Sequence, residues 1–203
     1  SNLSYTVNYY EEGTTNSVHP SKVVNGKTYL DEVTENAEDV PGYNKVAPTS
    51  ATITINVEDN VINFYYTKRT DLSYTVNYLE KDTNAVLADA KVVGSQTYLS
   101  EVTENAIEIS GYDMVAPTSA TITIEVEGNV INFYYTKRTD LSYTVNYLEK
   151  DTNAVLAGKK VVTGQTYKDT VTENAIDISG YDKVAPTSAT ITIEVENNVI
   201  NFY

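Results

Sequence analysis

The sequence predicts an α+β protein made of three tandem modules, each ordered β-β-α-β-β. Three observations lead there. Ser-Tyr-Thr-Val-Asn-Tyr occurs at residues 4–9, 73–78 and 142–147, and Val-Ala-Pro-Thr-Ser-Ala-Thr-Ile-Thr-Ile begins at Val46, Val115 and Val184, so both blocks recur every 69 residues without insertion or deletion. A period of that size describes an array of equivalent units, not one fold with a unique site. Within each copy, polar and apolar residues alternate near both ends, as in strands with one buried face. Between these stretches lie apolar residues four apart, as on one face of a helix.

The second copy shows each element. Leu72, Tyr74, Val76 and Tyr78 alternate with Ser73, Thr75 and Asn77, giving a first strand. Lys81-Asp82-Thr83-Asn84 has turn composition, and residues 85–93 form the second strand of a hairpin. Over 97–107, Tyr98, Val102 and Ala106 are spaced by four, which predicts a helix of two or three turns. Ser100, or Asp31 and Asp169 in the sister copies, supplies a cap for a shorter version. Gly111 ends the element, and Val115-Ala116-Pro117 is an extended crossing. Ala120, Ile122, Ile124 and Val126 then alternate with Thr and Glu. Gly128-Asn129 makes a tight turn, and residues 130–135 complete a second hairpin.

A helix covering one face of a four-stranded sheet, with first and last strands adjacent and parallel, is the β-grasp arrangement. In it the chain enters a module at one end and leaves at the other. The expected modules are 3–66, 72–135 and 141–203. Their connectors, such as Tyr66-Thr67-Lys68-Arg69-Thr70-Asp71, contain neither Gly nor Pro, unlike a flexible tether. Each module with its connector spans roughly 40 Å at about 3.3 Å per residue, so the expectation is an extended rod.

Tyr-Thr-Val-Asn-Tyr opening a strand, Gly-Tyr after a short acidic segment (Gly42-Tyr43, Gly111-Tyr112, Gly180-Tyr181) and a closing strand ending Asn-Phe-Tyr-Tyr-Thr-Lys resemble the mucin-binding protein (MucBP) repeats. The resemblance covers nearly all of each copy. It implies tandem ubiquitin-like β-grasp modules on a cell-wall-anchored, extracellular adhesin of a Gram-positive bacterium. The implied role is attachment to host mucin or another glycoprotein, or holding a distal domain away from the wall. Copies two and three differ at about ten aligned positions, including Asp89/Gly158 and Leu99/Lys168, whereas copy one diverges more. Buried and exposed positions match equally well, which points to recent duplication and not to a binding surface.

Candidate chemistry is sparse. His19 is the one histidine and has no partner for a triad or zinc site. Glu80, Asp82 and Asn84 lack the spacing of a calcium loop, and an ordinary polar turn explains them. Lys22/Asn63, Lys91/Asn132 and Lys160/Asn201 recur together and are candidates for the Lys–Asn isopeptide bond that some surface proteins carry. The plainer reading is a Lys lying along apolar surface and a strand Asn bonded to backbone. Among 18 tyrosines, most are in phase with the core. Tyr43, Tyr112 and Tyr181 follow a glycine in a loop and are the candidates for stacking on sugar rings.

There are no cysteines, and net charge is −14, which makes nucleic acid and anionic membranes poor partners. No segment is long and apolar enough to insert in a bilayer. No signal peptide or sorting motif occurs in the sequence. The expectation is a non-enzymatic monomer without cofactor, serving as stalk and adhesion region, with neighbouring repeats as its internal partners. The alternative is direct binding of mucin-type glycans by each repeat.

Overall fold

The computed structural model describes residues 2–203. Among the described residues there are seventeen strands and no helix. The first copy holds β1 (Leu3–Glu11), β2 (Ser17–Lys27), β3 (Glu32–Asn36), β4 (Tyr43–Val46), β5 (Ser50–Thr54) and β6 (Val61–Lys68). The second holds β7 (Leu72–Glu80), β8 (Val86–Gln96), β9 (Glu101–Asn105), β10 (Tyr112–Val115), β11 (Ser119–Thr123) and β12 (Val130–Lys137). The third holds β13 (Leu141–Leu148), β14 (Val155–Gln165), β15 (Thr170–Asn174), β16 (Ser188–Thr192) and β17 (Val199–Phe202). Each copy builds a larger sheet and a two-stranded one. The orders are β2-β1-β6-β4 with β3-β5, then β10-β12-β7-β8 with β11-β9, then β14-β13-β17 with β15-β16.

The chain divides into two compact units, and the division crosses the second copy. One unit is the chain up to Val76 with Lys91–Glu104 and Thr121–Ile131. In it, Tyr5, Val7 and Tyr9 of β1 point inward and are nearly inaccessible. Strand β1 pairs antiparallel with β2 (Val7 opposite Lys22) and parallel with β6 (Val7 opposite Ile62, Tyr9 opposite Phe64). The inner faces of both sheets meet in a core of Tyr5, Val7, Tyr9, Val33, Ala37, Val40, Ile55, Ile62, Phe64 and Tyr66. Side chains of this size each contribute roughly 1.5–3 kcal/mol on burial. Tyr9 stacks on Phe64 with ring centres 6.2 Å apart. The fully buried Tyr66 donates its hydroxyl proton to the Glu38 carbonyl at 2.8 Å.

The other unit is Asn77–Ala90, Asn105–Ala120 and Asn132–Tyr203. Here β13 lies antiparallel to β14 and parallel to β17, with Val145 opposite Ile200 and Tyr147 opposite Phe202. Its core contains Leu141, Tyr143, Val145, Tyr147, Ile193, Ile200 and Phe202. Strand β10 pairs antiparallel with β12, Met114 opposite Tyr135. Tyr135 repeats the part of Tyr66: it is fully buried, with its hydroxyl on the Ile107 carbonyl at 2.8 Å.

Two expectations are overturned. The predicted helix is a strand, so the protein is all-β and not an α+β β-grasp fold. A spacing of four is even, so Tyr98, Val102 and Ala106 satisfy the period of a strand as well as that of a helix. In the first copy the buried positions of this segment are Val33, Glu35 and Ala37, an alternation. Leu30, Leu99 and Lys168, inside the predicted segment of each copy, have φ of 70°, 62° and 66°, a conformation that no α-helix contains. On the outer face Thr34 and Thr52 share a 2.7 Å hydroxyl contact across the β3–β5 ladder. The same contact recurs at Thr103–Thr121 and Thr172–Thr190. Such pairs reward the β-branched residues that a helix disfavours.

The predicted closing hairpin is also absent in that form. The two strands flanking Asp59-Asn60 belong to different sheets, β5 beside β3 and β6 beside β1 and β4. Asn60 holds the crossing. Its Oδ1 accepts from the Asn56 amide at 2.7 Å, and its Nδ2 donates to the Asn56 and Ser4 carbonyls. Asn129 and Asn198 make the same three bonds. The first and last strands of the first and third copies are parallel neighbours.

Burial pushes the Tyr66 hydroxyl up to about 12 from 10.0, and burial also raises Tyr135. A raised folded value means the contribution of the neutral hydroxyl is complete below pH 10 and disappears as pH rises towards 12. Alkaline titration followed by circular dichroism should show cooperative unfolding in that window, shifted to higher pH in Tyr66→Phe.

Candidate functional site

Three polar clusters repeat along the chain. Strand β1 aims Tyr5 at the two-stranded sheet, β2 brings Lys22, and β3 supplies Glu35 from an inward position. Lys22 Nζ donates to both carboxylate oxygens of Glu35 at 2.8 and 2.9 Å. The Tyr5 hydroxyl donates to Oε1 at 2.6 Å. Tyr74, Lys91 and Glu104 form the second cluster, with both contacts to Oε1 at 2.6 Å. Tyr143, Lys160 and Glu173 form the third with the same distances. Lys22 and then Tyr5 hold the Glu35 carboxyl below its usual range, outweighing the opposing effect of burial. The same causes lower Glu104 and Glu173. A carboxylate kept ionised and bonded on both sides is a clasp between sheets, and its low value is opposite to what a general acid needs.

The isopeptide candidates are placed apart. Lys22, Lys91 and Lys160 go to the clasps. Asn63, Asn132 and Asn201 lie on the exposed face, where their Oδ1 atoms accept from Asn8, Asn77 and Asn146 at 2.9 Å. The clasp glutamates went unnoticed in the sequence because a polar residue at an inward strand position looks like a break in the pattern. The available signal was that Tyr, Lys and Glu recur together at the repeat period.

His19 packs edge-on to Tyr9 at 5.1 Å, its Nδ1 3.1 Å from the Pro20 carbonyl. In the Glu80–Asn84 turn, Thr83 Oγ1 donates to Glu80 Oε2 at 2.6 Å, and Asp82 and Asn84 adopt positive φ. These side chains shape a turn. Among the described residues no group of three or more His, Cys, Asp or Glu is placed to hold a metal ion.

The tyrosine candidates stand at joints between copies. Tyr43 meets Tyr98 of the next copy edge-on, ring centres 5.4 Å apart and planes at 78°. Tyr112 meets Tyr167 at 5.5 Å and 79°. The incoming ring covers the preceding glycine. A Cβ on Gly42 would sit 2.4 Å from Tyr98 Cε1, and one on Gly111 would sit 2.4 Å from Tyr167 Cε1. The connector completes each joint. Arg69 donates its amide to the Gly42 carbonyl at 2.9 Å, and its own carbonyl accepts from the Tyr98 amide at 2.9 Å. Arg138 links Gly111 and Tyr167 in the same way, at 3.0 and 2.9 Å. Each arginine side chain is fixed by two bonds to Asp71 or Asp140. Burial raises the Tyr43 and Tyr112 hydroxyls above their ordinary value. Tyr181 is different: it is 49% exposed, and nothing approaches Gly180.

No family model matches this chain, and no curated protein matches it. Among solved structures, the Bacillus anthracis TIE protein aligns over 99% of this chain and 50% of its own, with TM-score 0.41 and 9% identity. Mub-RV aligns over 66% of this chain and 98% of its own, with TM-score 0.25 and 10% identity. The chain thus spans half the length of the first. Likeness at these scores carries no functional argument.

Two outcomes follow from the clasps and joints. Glu35→Gln should lower stability by about 1–3 kcal/mol at neutral pH, measured by urea unfolding. Because the folded carboxyl lies below its ordinary 4.5, the contribution is complete above that value. It is lost as pH falls through the lower folded value, so wild type and variant should converge in acid. Gly111→Ala and Gly180→Ala share the same backbone strain, both at φ 84°, but only the first meets a ring. Gly111→Ala should therefore cost about 1–3 kcal/mol more than Gly180→Ala.

Proposed function

We propose that this chain is a non-enzymatic tandem-repeat stalk of a wall-anchored bacterial surface protein, placing a distal domain away from the cell and adding weak multivalent contacts. The observation that carries this reading is the parallel pairing of first and last strands, β1 with β6 and β13 with β17. Parallel neighbours begin at one pole of a copy and end at the other, so each copy advances the chain. The glycine–tyrosine joints support the reading too, because they tie each connector to both of its neighbours by backbone hydrogen bonds. A flexible tether has no such bonds. The MucBP-like residues described above support reading the parent protein as one of a Gram-positive surface, with host mucin or a related glycoprotein as the partner to test.

Direct mucin recognition by every repeat fits less well. Tyr43 and Tyr112, its best candidates, face tyrosines of the following copy. Only Tyr181 presents an exposed ring of this set. The test is surface display, with one, two or three copies inserted between a wall anchor and a reporter epitope. Antibody access to the epitope should rise with each copy, and access independent of copy number overturns the stalk. Immobilised mucin supplies the second arm: strong retention of the chain that is abolished by Tyr181→Ala would transfer the function to adhesion.

A further inference from the structure

The asparagine pairs on the outer face of the larger sheets take no part in the clasps or the joints, yet they recur in every copy. Asn8 donates to Asn63 at 2.9 Å, and Asn77–Asn132 and Asn146–Asn201 repeat the bond at the same distance. In the first copy this bond crosses the parallel pair β1 and β6, between residues directly opposite in register. It is one rung of a longer set. Backbone pairing runs from Thr6 opposite Val61 to Glu11 opposite Tyr66. It is extended at both ends, by the Thr6 amide on the Asn60 carbonyl at 2.9 Å and the Glu12 amide on the Tyr66 carbonyl at 2.8 Å. The Asn60 side chain adds a bond to the Ser4 carbonyl at 3.1 Å. On the inner face Tyr9 stacks on Phe64, and on the outer face Tyr10 and Tyr65 stand with ring centres 6.5 Å apart. Side chains thus brace the same two strands on both faces of the sheet. In the third copy Thr144 to Tyr147 pair parallel with Val199 to Phe202, and the asparagine rung and the aromatic stack are both present.

We propose that this parallel pair is a force-resisting clamp, which gives the copies a mechanical function as well as a length. The chain enters the first copy at the start of β1 and leaves it after the end of β6. Pulling the two ends apart draws β1 backward and β6 forward along their shared axis. The rungs are then sheared together, because parallel bonds are evenly spaced along the ladder and each takes a share of the pull. An antiparallel pair pulled from neighbouring ends opens instead like a zip, one bond at a time. Strands β1 and β2 are such a pair, with Leu3 opposite Lys27 at the open end. Forced rupture is governed by the barrier to unfolding and not by equilibrium stability. A rung can therefore be worth little at rest and matter under tension. The exposed Asn8–Asn63 bond fits that description: its net contribution at equilibrium is modest, and it lies where shear must break it. The clamp's service to a cell rests on the stalk reading above, since only a chain held at both ends is pulled. Its strength is a property of the isolated chain, so it can fail while the display result stands, and the reverse.

The protein has no cysteine, so pairs of introduced cysteines define the direction of pull on the whole 203-residue chain. Attachment through Asn2→Cys and Thr70→Cys loads β1 against β6 in shear. Attachment through Asn2→Cys and Thr28→Cys peels β1 from β2. All three positions are exposed. Single-molecule force spectroscopy at one pulling speed should give a rupture force about twofold or more higher for the first pair. The event should release roughly 240 Å of chain, at about 3.6 Å per residue. Asn63→Ala should lower the force along the first axis, leave the second unchanged and move the urea midpoint little. Equal forces along the two axes, or a lower force in shear, overturn the proposal. So does a loss in Asn63→Ala that is the same along both axes, because a merely structural residue would behave that way. The comparison of axes requires no change at the asparagine pair, so it stands even if Asn63→Ala does not fold.

Discussion

The structure depends on one pairing made across a whole repeat: the first strand of a copy lies parallel to its last. In the first copy this joins residues 55 apart, such as Asn8 and Asn63. It places Val7 and Tyr9 beside Ile62 and Phe64, the centre of the core. Everything between those strands must return to them. The crossing asparagines move the chain between sheets, and the two-stranded sheet closes the core from the other side. A parallel pair cannot be joined by a tight hairpin, so the intervening fifty or so residues are the connection that this pairing demands.

The clasps and the joints serve different scales of that arrangement. Within a copy, Lys and Tyr from the larger sheet meet one Glu from the smaller, and the charge is fully bonded despite its burial. An uncompensated carboxylate there would be strongly destabilising. Between consecutive copies, contact is made by an aromatic ring and two backbone hydrogen bonds. Glycine at 42 and 111 answers two demands at once: positive φ, and an incoming ring where a side chain would otherwise stand. Gly180 answers the first alone.

Repetition, more than any single cluster, organises this chain. The polar groups that looked like chemistry in the sequence are turn formers, a ring stacked on a core tyrosine, and asparagines paired across parallel strands. The tyrosines that looked like a sugar platform are joint residues in the first two copies.

The sequence by itself determined the repeat, its period and the inward alternation of the first and last strands. These are local patterns, or identities between distant segments, and need no knowledge of what packs where. Only the tertiary structure decided between helix and strand for residues such as Val102 and Ala106, because a four-residue spacing satisfies both periods until a partner strand settles the matter. It also decided that Lys22 meets Glu35 and not Asn63, since neighbouring strand positions face opposite sides of a sheet. And it decided that Tyr43 and Tyr112 serve joints, because that depends on which ring of the following copy packs beside each and not on the residues themselves.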